Sequence, residues 1–213
     1  MPHAAGDPVQ PTIRAVELLP PEDDLRVQHG ADRLRDSPHP DLPVLGGAEL
    51  PAGHHATVAY AAYPDPSGSV PGELAAEVFI VTPHGRQLTG VAGRQSDHDG
   101  TLVPTWGGAS NSQGRLWCRL TAGTVAAVEV SLAGAADGTK RRVAADLLVD
   151  DPANDARLFL AVVEGPEHVS AITHLDEQGR VLETTDWRSQ DDLWHRDRAQ
   201  IGTVLPPGTP PPR

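Results

Sequence analysis

From about Ala56 to Thr185 the chain is written as short apolar segments cut at near-regular intervals by Gly, Pro and Asp clusters. The clearest stretch is Val169-Ser-Ala-Ile-Thr-His-Leu175, then Asp176-Glu-Gln-Gly179, then Arg180-Val-Leu-Glu-Thr-Thr185. Turn signals every ~8–12 residues leave no room for long helices and are the pattern of an antiparallel all-β domain. Thr124-Val-Ala-Ala-Val-Glu-Val-Ser-Leu132 alternates with a period of two at its end, with Val128, Val130 and Leu132 inward and Glu129 and Ser131 outward.

The expected fold is therefore a single antiparallel β-sandwich of about nine strands. Leu74–Thr82 and Leu158–Val163 are apolar on both sides, which predicts strands covered on both faces. Arg142–Val149 reads as one strand. Before residue 54, Pro, Asp and Arg are frequent and periodicity is weak, so residues 1–53 read as a Pro-rich arm, partly extended or disordered until bound. Ile13-Arg-Ala-Val-Glu-Leu-Leu19 is its exception, a strand that docks on the core or a short interaction segment. The sandwich is expected over 54–185, a short helix over 186–203 and a disordered Pro-rich tail over 204–213.

Charge narrows the partners. A formal net charge of −12 opposes binding to phosphate backbones and anionic membrane surfaces, so neither nucleic acid nor membrane is expected. The N-terminal residues lack a basic segment followed by an apolar one, and no stretch approaches the ~18 apolar residues of a membrane span. A cytoplasmic location is the corresponding expectation. One cysteine, Cys118, excludes an internal disulfide. In Arg115-Leu-Trp-Cys-Arg-Leu120, alternation groups it with Leu116 and Leu120, which predicts a buried, inert thiol opposite the Arg115, Trp117 and Arg119 face.

Candidate chemistry is sparse, and no cofactor is expected. The 10 histidines are scattered. His168 and His174 share a strand face but lie about 20 Å apart at ~3.3 Å per residue, too far to chelate one ion. Asp97, His98 and Asp99 precede Gly100 like the opening of a calcium loop. No carboxylate follows at the distance a calcium loop needs, so these are weak metal candidates and a hairpin turn uses them equally well. Trp106 and Trp117 flank a segment rich in Gly, Ser and Asn; with Ser110 and Asn111 they form a candidate ligand surface of the kind that stacks on a sugar ring. Near the C-terminus Trp187, Trp194 and Ile201 recur every seven residues, a candidate partner-binding face on the expected helix. No spacing singles out an acid/base pair. The leading expectation is a non-catalytic module that holds a protein partner. A carbohydrate or small-ligand binding domain comes second, and a hydrolase with its site assembled from loops third.

Overall fold

The computed structural model describes residues 17–20, 24–36, 41–62, 74–96, 102–105, 109–111, 114–133, 140–163 and 167–186. These residues are mostly strand, arranged in three antiparallel sheets with one α-helix. The first sheet runs β1 (Val44–Glu49), β2 (His55–Ala62), β3 (Leu74–Val81), β4 (Gln87–Ser96) and β5 (Leu102–Thr105) in chain order. The second uses β6 (Ala109–Asn111), β7 (Gly114–Ala122), β10 (Asp146–Asp151) and β11 (Ala156–Val163) in the order β10-β11-β7-β6. The third uses β8 (Ala127–Ala133), β9 (Lys140–Ala144), β12 (His168–Leu175) and β13 (Val181–Asp186) in the order β13-β12-β8-β9.

Period-two alternation on the second sheet explains the layering. Along β7, Leu116, Cys118 and Leu120 join a core with Val58, Val78, Ile80 and Leu88 of the first sheet. Their neighbour Trp117 points the other way, into a core with Val130, Leu132 and Ile172 of the third. On β11, Leu158 and Leu160 follow the first group, while Phe159, Ala161 and Val163 follow the second. The second sheet is thus covered on both faces, which is why β11 carries an unbroken apolar run. Burying each such Leu or Phe contributes about 1.5–3 kcal/mol. β3, the other doubly apolar segment, is the middle strand of the first sheet.

Two hairpins share one turn chemistry. Between β3 and β4, Gly85 N–H donates to Thr82 O and Thr82 N–H to Arg86 O, both at 2.9 Å. Between β12 and β13, Gly179 N–H donates to Asp176 O and Asp176 N–H to Arg180 O, again both at 2.9 Å. Gly85 and Gly179 have φ of 73° and 74°, a left-handed conformation that glycine adopts without steric cost. Asp176 tightens the second turn by accepting from the N–H groups of Gln178 and Arg180.

Several boundaries differ from the sequence reading. The described residues form thirteen strands where about nine were expected. Arg142–Val149 is not one strand: it changes sheets at Ala145, with β9 in the third sheet and β10 in the second. Ala145 N–H still donates to Val128 O at 2.9 Å as the chain leaves the third sheet. The boundary at residue 53 falls inside the first sheet, because β1 pairs with β2 from Val44↔Ala59 to Glu49↔His55. Upstream of it, Leu19 bridges Gly47 and Leu18 packs on the core.

The segment read as an extended arm also contains a helix, α1 (Leu25–Arg35). Asp24 caps it by accepting from Arg26 N–H at 2.7 Å, and Arg33 and Arg35 sit in the last turn, where cations suit the dipole. Val27, Gly30, Ala31 and Leu34 form its buried stripe, and Leu34 packs with Ala59 and Phe79 on the outer face of the first sheet. That stripe is narrow and half made of Gly and Ala, too weak a period to read against the surrounding Pro and Asp. No helix among the described residues is long and apolar enough to cross a membrane.

Candidate functional site

Among the described residues two places combine polar groups with access. The first lies where α1 meets the first sheet, a cavity of about 370 Å³ whose lining includes Leu25, Arg26, His29, His55 and Val81. Its charges are spent on one another. Arg26 is held by Asp24 at 2.9 Å and by Glu49, and this pairing pulls the Asp24 carboxyl down to about 2. His55, 4% exposed, has Nε2 4.0 Å from Asp24 Oδ2. Burial lowers its pKa, and Arg26 adds to that against the pull of Asp24 and Glu49, which keeps the ring neutral at pH 7. No group of three or more metal-binding side chains occurs among the described residues.

The second place is the third sheet, whose two edges differ in charge. At one edge, β13 reads Val-Leu-Glu-Thr-Thr-Asp and all six residues are exposed or half-exposed, including Val181 at 62% and Leu182 at 49%. Its register against β12 shifts between His174↔Glu183 and Leu175↔Val181, so Leu182 is the extra residue of a β-bulge. Among the described residues nothing pairs with its other side. At the opposite edge, β9 opens with Lys140-Arg141-Arg142. Arg142 pairs with Glu129 across β8 at 3.2 Å and Arg141 with Glu167, yet the two arginine side chains stay 73% and 56% exposed.

At β13 a polar cluster of buried His174, half-buried Arg119 and exposed Glu183 joins the second and third sheets. Glu183 Oε2 lies 3.4 Å from Nδ1 of His174, which is 6% exposed. Burial lowers the His174 pKa, the nearby Arg119 guanidinium on β7 lowers it further, and Glu183 works against both. Neither His174 Nε2 nor Arg119 Nε finds a hydrogen-bond partner among the described residues. The cluster presents an imidazole and a carboxylate, but the chain's one thiol, Cys118, is fully buried and donates instead to Val91 O at 3.4 Å. Burial above all, with the charge of Glu77, pushes that thiol up to about 12.

Of the residues singled out in the sequence, Trp117 is 4% exposed and packed between the second and third sheets, so its ring offers no face for stacking on a ligand. Ser110 and Asn111 stand in β6, opposite Arg115 and Gly114 of β7. Trp106, Asp97, His98, Asp99, Trp187, Trp194 and Ile201 lie outside the described residues. Sequence reasoning passed over Arg119, Glu183 and the basic run of β9. Their charges are plain in the sequence, but nothing there says that β9 and β13 are the two ends of one sheet. No protein-family model matches this chain, and no curated protein or solved structure matches it.

Proposed function

We propose that this protein is a non-catalytic interaction module, a β-sandwich scaffold that holds a protein partner by accepting a strand at β13. The observation that carries the reading is the exposure of Val181 and Leu182 on a strand that ends its sheet among the described residues. An edge strand presents a row of backbone donors and acceptors, and an extended segment that pairs with them gains main-chain hydrogen bonds. Exposed apolar side chains on the same strand add area that water would otherwise solvate. A buried thiol and a cavity whose charges are mutually paired support a scaffold role over turnover.

The test is retention of proteins from a cell lysate by the immobilised full chain, compared with a Val181→Lys/Leu182→Lys variant. Lysines on an edge oppose strand addition, and both positions are exposed enough to accept them. The expected result is a protein retained by the wild type and lost by a variant whose melting temperature is unchanged. Equal retention by both, or none by either where the immobilised wild type also fails to retain free copies of itself, overturns the reading.

A further inference from the structure

We propose that the strand accepted by β13 is β9 of a second copy of this chain, so that the third sheet continues from molecule to molecule. The inference rests on the strand-addition reading above and names its partner. Its first support is charge. β9 carries Lys140, Arg141 and Arg142, whereas β13 carries Glu183 and Asp186. Like charges facing across a strand pair are destabilising and opposite ones favourable, so β9 against β9 and β13 against β13 are both rejected. Only the unlike pairing remains. The bulge at Leu182 and the charge of Glu183 are then guards that refuse a generic strand and admit a complementary one.

Topology gives the second support. Among the described residues the third sheet has four strands, each antiparallel to its neighbour. Its two edge strands therefore run in opposite directions. A copy set beside the first in the same orientation brings β13 antiparallel to β9 with no reversal of the molecule. The edges also match in length, with five residues in β9 and six in β13. Arg141 pairs across β8 with buried Leu132, and Glu183 across β12 with buried His174, so both stand on the face turned toward the second sheet. One register sets them opposite each other, at the Cβ separation of roughly 5 Å that lets such pairs interact.

Four strands at about 20–25° each rotate successive copies by roughly 80–100° about the direction in which the sheet grows. The contact is heterologous, so growth passes beyond a dimer. The net charge of −12 on every copy opposes association at long range, but at physiological salt the screening length is about 8 Å and the local edge pairs decide.

Sedimentation velocity of the full chain over a concentration series at about 0.15 M salt tests this, with two charge-reversed variants. Glu183→Lys/Asp186→Lys makes both edges basic, and Arg141→Glu/Arg142→Glu leaves both acidic overall. The wild type is expected to climb from 22.5 kDa past the dimer as concentration rises. Each variant alone should remain monomeric across that range, with association weakened about tenfold or more, and an equimolar mixture should associate again. Should a reversed variant fail to fold by circular dichroism, Glu183→Gln/Asp186→Asn and Arg141→Gln/Arg142→Gln replace them, with weakened association expected of each. A wild type monomeric throughout, variants that associate alone, or a mixture that stays monomeric overturns the proposal. Loss of a different retained protein in the lysine variant, with the wild type monomeric, leaves strand addition standing and removes only self-pairing.

Discussion

Tyr60 on β2 donates its hydroxyl hydrogen bond to Asp151 Oδ2 at the end of β10, 2.7 Å away, and so pins the first sheet to the second. Nearby, Arg94 on β4 donates to Thr121 O at 3.2 Å and to Asp155 O at 2.6 Å, a second tie between the same layers. Both ties sit at the border of a core in which Tyr60 itself is 7% exposed. Tyr60→Phe keeps the ring and removes the bond, so a loss of about 1–2 kcal/mol is expected. Chemical denaturation checks it, with an unchanged m-value showing that only stability has moved.

The same contact has an acid limit. Burial works against ionisation of Asp151, but hydrogen bonds from Asn154 and Tyr60 outweigh it and hold the carboxyl below its ordinary range. A depressed carboxyl stabilises the fold above its unfolded pKa near 4, and that contribution fades as pH falls through the folded value. The Tyr60→Phe deficit should therefore be largest at neutral pH and shrink toward pH 2. Denaturation midpoints of the two proteins across that range give the answer, and a pH-independent gap refutes the ionic part.

Gly30 sets how closely α1 approaches the sheet. A Cβ built there stands 2.0 Å from Thr57 Oγ1, far inside van der Waals contact. Helix propensity favours Ala over Gly by about 1 kcal/mol, but overpacking of this kind costs about 1–3 kcal/mol. Gly30→Ala should thus be neutral to destabilising, while Gln28→Ala on the exposed side of the same helix should be neutral or better. Paired thermal melts decide between them, and a clear gain from Gly30→Ala would mean that the helix does not sit this close.

His174 and His55 both have pKa values lowered chiefly by burial. For such a histidine the unfolded chain takes up its proton first, near pH 6.5, so stability is full above that value and declines as pH falls below it. His174→Phe removes one of the two contributions, and the fall in stability between pH 7 and 5 should become shallower. Arg119 is still beside Glu183 in that variant, so the charge of Glu183 keeps a partner. Stability curves of equal slope for wild type and variant would place the loss elsewhere.

Cys118 should resist thiol reagents in the native state, since its sulfur is both buried and held as the neutral thiol. Labelling with an aromatic disulfide should proceed at the rate of unfolding and rise steeply with denaturant. Fast labelling in buffer alone would show that the layer between the first and second sheets opens on its own.

Legibility in the sequence followed the physics of each element. Strands with a strong period of two were readable, as were the hairpin closed at Gly179 and the inward face of Cys118, because each is set by neighbours a few residues away. α1 was not: its buried stripe of Val27, Gly30, Ala31 and Leu34 counts as apolar only because the first sheet lies beneath it. Trp117 shows the same limit from the other side. Alternation placed it opposite Cys118, yet only the third sheet packing over that face turned an apparent ligand surface into core.

What the sequence determined by itself was therefore local: strand rhythm, turn chemistry, side-chain parity along each strand and the sign of each segment's charge. Tertiary structure alone decided which strands became edges, where Arg142–Val149 broke to serve two sheets, and how His174, Glu183 and Arg119 came together from three strands. The physical reason is that dihedral preference and alternation act over a few residues, whereas strand order and layer contact are settled by apolar surfaces far apart in the chain finding one another.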